Sequence, residues 1–306
     1  MIKVIFFGTP DIGLKSLDYL NKSSNFEVLA VVTQPDKPAG RGNKIKQSPI
    51  KEYAVKNGIQ VFQPKSIRKE PNIIQALKEL KPDFFVTFAF GQILSQEVLD
   101  IPKYETINLH ASLLPKYRGA NPIQRAIING DKETGICTMI TELGLDCGDI
   151  CKKIIIPISD DMNCEELYIQ ISNEAPELIA KTLIGLVEKS IIPTAQCEGG
   201  VCLANKLQKE EALIDFTKPA QEIHNLIRGI YKSPSAYFMR DNKIIKVLQS
   251  KVCEGEGKPG QFLQVTTEGI KIACGENCLL ITRVKPEGKS EMPARDWYNG
   301  LQNKGK

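Results

Sequence analysis

Across roughly the first two hundred residues, apolar positions switch repeatedly between two periods. Continuous apolar runs fill residues 2–8, 27–33, 59–62, 83–90 and 106–110, as in strands buried on both faces of a parallel sheet. Between them apolar residues return at helical spacing: Ile12, Leu14, Leu17 and Leu20 within residues 11–21, then residues 50–57, 71–80 and 122–129. Ser48 and Pro49 read as an N-cap and first turn, Gly58 as a stop, and residues 34–47 as a long loop. Residues 134–142 and 150–158 add two strands, and residues 163–189 a helix interrupted or offset near Pro176. Strands alternating with helices predict an α/β fold with a mainly parallel sheet and helices on both faces. Ligands of such sheets bind beyond the carboxyl ends of the strands.

Periodicity fades over residues 190–205, which read as a linker. An amphipathic helix follows at residues 219–230, with Ile223, Leu226, Ile227 and Ile230 on one side. Short strand-like pieces at residues 236–239, 243–248, 260–265, 269–273 and 278–284 are separated by glycine-rich turns. Their regular spacing predicts a smaller β-barrel of the oligonucleotide-binding (OB-like) kind. The expected organisation is a catalytic domain over residues 1–189, a linker over 190–205, and a barrel domain over 206–306. The turn Gly8-Thr9-Pro10-Asp11-Ile12-Gly13 is Rossmann-like. Pro10 occupies the place of the second glycine of a dinucleotide fingerprint, which argues against a nicotinamide enzyme.

Composition changes the picture in three ways. With 306 residues, 42% hydrophobic and 25% charged, the chain is an ordinary globular one of two domains. The apolar N-terminus is too short for a secretory signal and no apolar run approaches ~18 residues. A cytoplasmic protein with no membrane partner is expected, and a monomer. Nine cysteines offer no Cys-x-x-Cys, and the spaced pairs Cys147/Cys151 and Cys274/Cys278 lie far from both histidines in sequence, so free thiols and no metal are expected. The net charge of +4 is uneven: residues 1–204 hold 23 basic and 24 acidic side chains, net −1, and residues 205–306 hold 17 and 12, net +5. An excess confined to the last third points to a polyanion met by that domain, unless it is chance.

The candidate chemistry lies in Asn108-Leu109-His110, at the end of a predicted strand, and in Gly144-Leu145-Asp146-Cys147-Gly148-Asp149. A histidine moves protons near neutral pH. An amide two residues away on the same strand face can hold an oxyanion, and a carboxylate beside an imidazole orients it and favours its charged form. No serine or cysteine sits in a nucleophile elbow. Direct attack by a substrate amine on a bound carbonyl donor fits the set, with His110 as proton shuttle, Asp146 as its support and Asn108 as oxyanion donor. Singly, each residue has a plainer reading: a strand-end amide, a satisfied core histidine, and a turn aspartate beside a working Asp149.

Asn108-Leu109-His110-Ala111-Ser112-Leu113-Leu114-Pro115, Tyr117-Arg118-Gly119-Ala120 and the Asp146 loop resemble the folate-dependent formyltransferases. Gly8-Thr9-Pro10 and Gln34-Pro35-Asp36-Lys37-Pro38-Ala39-Gly40-Arg41-Gly42 narrow the resemblance to the methionyl-tRNA formyltransferases. It implies 10-formyltetrahydrofolate as co-substrate and initiator methionyl-tRNA as partner. It places the catalytic Asn, His and Asp on Asn108, His110 and Asp146. The folate loop falls on Ser112, Leu113, Leu114 and Pro115, and the pterin wall on Phe90, Gly91, Ile93 and Leu94 with the loop before Asp146. Phe90 stands where the family often has tyrosine, and Cys147 where it usually has threonine.

The loop over residues 36–51 has a case of its own. Lys37, Arg41, Lys44, Lys46 and Lys51, with Gly40 and Gly42 around the arginine, suit entry into an RNA end. A solvated surface loop is the plainer alternative. The resemblance puts a tRNA-wedging arginine on Arg41, while the basic loop itself makes Lys37, Lys44 and Lys46 candidate tRNA contacts. Lys206 and Lys209, with Arg228 and Lys232, are the candidates in the C-terminal domain. A formyltransferase of a sugar nucleotide or of glycinamide ribonucleotide would share the triad without needing the basic loop. A non-catalytic tRNA-binding protein would not need the triad.

Overall fold

The computed structural model describes residues 1–39 and 44–302. Two compact units emerge: residues 1–119, 134–156 and 168–203 form the first, and residues 120–133, 157–167 and 204–306 the second.

The first unit is built on a seven-stranded sheet. Its strands are β1 (Ile2–Gly8), β2 (Phe26–Val32), β3 (Gln60–Phe62), β4 (Phe84–Phe88), β5 (Glu105–His110), β6 (Glu133–Ile140) and β7 (Ile150–Pro157). They lie in the order β7-β6-β5-β4-β1-β2-β3. From β3 to β5 the pairing is parallel, and β6 runs antiparallel to β5 with His110 opposite Cys137. The central strands β1 and β4 are covered on both faces, which is why their sequences read as unbroken apolar runs. Ile5 and Phe7 pack with Ile74 and Leu77 of the helix Pro71–Glu79, while the Phe6 ring on the other face lies against Gly13 and Gly8.

Three expectations are corrected. The stretch 34–47 contains a short hairpin, Lys37–Ala39 against Lys44–Lys46. The helix Cys164–Val187 runs unbroken through Pro176. An interior proline costs about 3 kcal/mol, and the buried face of Leu167, Ile171, Ala175, Leu178, Ile179 and Leu183 offsets it. Finally, residues 190–203, read as part of a linker, belong to the first unit and are hydrogen-bonded into it. Ile150 and Thr194 exchange both backbone hydrogen bonds at 2.9 Å, and Cys202 accepts from the Arg118 amide at 3.0 Å.

The second unit carries an antiparallel sheet, ordered Tyr237–Arg240, Lys243–Cys253, Cys278–Pro286, Ile270–Ala273, Phe262–Val265, with Met292–Pro293 against Cys278–Pro286. Irregular pairing around Gln249 accompanies the curl of the sheet. The result is a half-barrel: the outermost strands meet through the rings of Phe238 and Phe262, 6.3 Å apart. The helices Ala220–Gly229 and Ala294–Gln302 contribute Ile223, Ile227 and Trp297 to its core. The closing helix was not among the sequence expectations, because its apolar positions are few. No helix among the described residues is long and apolar enough to cross a membrane.

Candidate active site

Strand β5 ends on His110, with Asn108 two residues earlier on the same face. The Thr87 hydroxyl, on the neighbouring β4, donates to Asn108 Oδ1 at 2.7 Å. That bond occupies the carbonyl end of the amide and turns its N–H end to donate elsewhere.

His110 is 5% exposed. Its Nε2 lies 2.9 Å from the Tyr117 carbonyl oxygen. A carbonyl only accepts, so Nε2 carries the proton and the neutral ring keeps its lone pair at Nδ1. Nδ1 faces Asp146 Oδ2 at 3.6 Å, beyond a direct hydrogen bond, yet close enough to stabilise an imidazolium. The same carboxylate oxygen accepts the Gly119 N–H at 2.8 Å.

Two non-glycine residues here have left-handed backbone, Tyr117 (φ 61°) and Asp146 (φ 45°). Such conformations persist where the surroundings fix them. The Asp146 turn is pinned by Gly148, since a Cβ there would lie 2.1 Å from the Ile140 carbonyl oxygen. Gln196 adds a third restraint: its Nε2 donates to the carbonyls of Asp146 (2.9 Å) and Gly148 (2.8 Å).

The expected folate loop forms a tight ledge after His110. Ser112 is buried, with its Oγ donating to the Lys116 carbonyl at 2.6 Å, and the Leu114–Pro115 bond is cis. Leu114 packs with Cys137 and Met139, and Leu113 lies against Gly135. The expected pterin wall divides. Phe90 and Leu94 are buried in the core under the sheet, Phe90 edge-on to Phe7 at 5.3 Å. Their segment therefore offers backbone, at Gly91, and the exposed side chain of Ile93. Leu143 and Leu145, in the loop before Asp146, are likewise exposed. The Cys147 thiol sits against Gly144, where a Cβ would meet the sulfur at 2.3 Å. Burial raises the thiols of Cys137, to about 11, and Cys151, to about 12. All nine cysteines are free.

The formyl transferase family matches residues 2–183, and the formyl transferase C-terminal domain matches residues 206–302. The chain is 44% identical to the methionyl-tRNA formyltransferase of Clostridium novyi, covering 98% of this chain and 97% of that protein. Identity to the Clostridium botulinum protein of the same name is 47%, with 98% and 96% covered. The chain belongs to the methionyl-tRNA formyltransferase family.

Formyl transferases of other substrates share the fold. The sugar 3N-formyl transferase WlaRD, solved with dTDP and 5-N-formyl-THF, superposes with a TM-score of 0.69 at 22% identity, covering 95% of this chain and 99% of that one. The phosphoribosylglycinamide formyltransferase of Bacillus halodurans gives 0.53 at 22% identity, covering 61% and 96%.

Of the positions marked as candidate tRNA contacts, Arg41 lies outside the described residues. Lys44 is described in its backbone only, at the start of the hairpin strand Lys44–Lys46. Lys37 and Lys46 are exposed, and Lys37 Nζ donates to Gln34 Oε1 at 2.7 Å. Lys51 is tied down: it pairs with Asp36 at 2.6 Å, and Gln63 donates to both Asp36 and the Gln34 carbonyl. The loop thus stands on a fixed base. Lys206 and Lys209 are exposed. Arg228 is corrected to a structural role: it is buried and donates to Asn225 and to the carbonyls of Ser159 and Met162. Lys232 pairs with Glu165 at 2.7 Å.

Sequence reasoning missed Tyr117, Thr87 and Gln196. Tyr117 acts through its carbonyl, which any residue carries, and Gln196 lies in a stretch without periodicity.

Proposed function

We propose that the protein transfers the formyl group of 10-formyltetrahydrofolate to the α-amino group of methionine on initiator methionyl-tRNA, as a single chain in the cytoplasm, for translation initiation. The observation that carries the chemistry is the His110 ring, held at Nε2 by a carbonyl and facing a carboxylate at Nδ1, with Asn108 on the same strand face.

In this reading the neutral methionine amine attacks the formyl carbon, forming the new C–N bond. The Asn108 Nδ2–H donates to the developing oxyanion. His110 Nδ1 takes the amine proton, and Asp146 stabilises the imidazolium. Collapse breaks the bond from carbon to N10 of the folate, and the proton passes from Nδ1 to that nitrogen. Tetrahydrofolate and the formamide leave, and His110 is neutral again. The pterin would rest on Gly91, Ile93, Leu143 and Leu145, with the ledge Ser112–Leu113–Leu114–Pro115 beside it. A flat ring with polar edges suits a site made of exposed aliphatic side chains and backbone groups. Phosphates of the tRNA would meet Lys37, Arg41, Lys44, Lys46, Lys206 and Lys209.

The test is transfer of labelled formyl from 10-formyltetrahydrofolate to charged initiator methionyl-tRNA, beside uncharged tRNA and amino-sugar nucleotides. Label on methionyl-tRNA alone is expected. Label on the sugar nucleotide instead would overturn the substrate, and no transfer to any acceptor would overturn the enzyme.

A further inference from the structure

The segment that reads as a linker holds the best-connected side chain near the site. Gln196 uses its whole amide. Nε2 donates to the carbonyls of Asp146 and Gly148 at 2.9 and 2.8 Å, and Oε1 accepts Nε and Nη2 of Arg118 at 3.0 and 2.7 Å. Two donor hydrogens and two lone pairs are all that a carboxamide has. The groups it joins belong to the two turns that make the site. Arg118 lies between Tyr117, whose carbonyl orients His110, and Gly119, whose N–H holds the Asp146 carboxylate.

The segment is fastened on both sides of Gln196. Thr194 is paired in both directions with Ile150, and Cys202 takes the Arg118 N–H on its carbonyl and the Tyr117 N–H on its sulfur, at 3.2 Å. Asp146 keeps its left-handed backbone only while such restraints act together.

We propose that Gln196 is a positioning residue for formyl transfer: it clamps the Asp146 turn to the Tyr117–Gly119 turn and thereby fixes Asp146 opposite His110 Nδ1. The inference rests on the reading of His110 and Asp146 as the proton-handling pair.

Gln196→Glu separates the clamp from mere attachment of the segment. A carboxylate still accepts from Arg118, now as an ion pair, so the segment stays fastened. It cannot donate, and it sets an anion against the carbonyls of Asp146 and Gly148. The full-length variant should lose about 100-fold in kcat, as a misplacement near 1 Å does, with KM for methionyl-tRNA and for the formyl donor within about twofold. In an Asp146→Ala background, which keeps the 146 carbonyl, single-turnover rates should fall by less than about twofold more, because residues acting as one unit are non-additive. The same fold-loss in both backgrounds would overturn the positioning role. So would a Gln196→Glu enzyme of native kcat beside an inactive Asp146→Ala. If Asp146→Ala itself turns over like the native enzyme, the underlying reading of the pair has failed instead. Should Gln196→Glu not fold, Arg118→Met cuts the same link from the other side and must show the same non-additivity.

Discussion

At the scale of the residue, backbone carbonyls and neighbouring hydroxyls decide what the named side chains can do. His110→Ala should lower kcat by about 10²–10⁴-fold, the span of a general base, while the Kd for methionyl-tRNA in filter binding stays near the native value. A matching loss of tRNA affinity would assign His110 to binding. Thr87→Val removes the hydroxyl that holds Asn108 Oδ1. It should cost roughly tenfold in kcat, less than the 10²–10³-fold expected for removing an oxyanion donor outright in Asn108→Ala. Equal losses would mean that Thr87 does more than orient the amide. That His110 would meet Asp146, with Asn108 on the same strand face, could be read because side-chain chemistry and spacing travel together in a sequence. Their supports could not. Tyr117 contributes an atom that every residue has, and Gln196 is one amide among exposed neighbours.

At the scale of the element, apolar runs marked the five strands β1 to β5, because a strand covered on both faces has little choice of composition. Ends were less legible: residues 83–90 read as one strand, yet pairing stops at Phe88, and Ala89 turns into left-handed backbone. Pro176 misled in the other direction, since buried side chains held the helix together through it. Close approach of elements was invisible too. A Cβ on Gly135 of β6 would lie 2.0 Å from the Ile154 carbonyl oxygen and 2.6 Å from Leu113. Gly135→Ala should therefore destabilise by about 1–3 kcal/mol, read as a lower urea midpoint, and should raise KM for the formyl donor by displacing the ledge. An unchanged midpoint would show that the strands part without cost. For the basic hairpin, Lys46→Ala should weaken methionyl-tRNA binding and reduce the slope of log K against log salt by about 1. A slope that does not move would remove Lys46 from the phosphate contacts.

At the scale of the whole molecule, the uneven charge was readable at once, but the burial of His224 in the second unit was not. His224 is buried there, between the Ser250 hydroxyl at 3.0 Å and the Asp160 carbonyl at 3.1 Å. Burial lowers its pKa below the usual 6.5, and Arg228 adds to the effect against the opposing pull of Asp161 and Asp160. The unfolded chain then binds a proton at His224 that the folded chain resists. Stability on this account is fully present above pH ~6.5 and is lost as pH falls through that value toward the lowered one. His224→Gln should flatten the decline in Tm between about pH 7 and 5.5. A decline as steep as the native one would move the acid sensitivity to other groups.

The bond from His110 Nε2 to the Tyr117 carbonyl has a consequence for the rhythm of turnover. It leaves the imidazole a single door. A proton admitted at Nδ1 finds no exit through the far side of the ring, and so must depart by the way it came. In the proposed mechanism the cycle needs no ring flip between one substrate and the next, and the donor nitrogen that receives the proton must lie within reach of the same Nδ1 that took it from the amine.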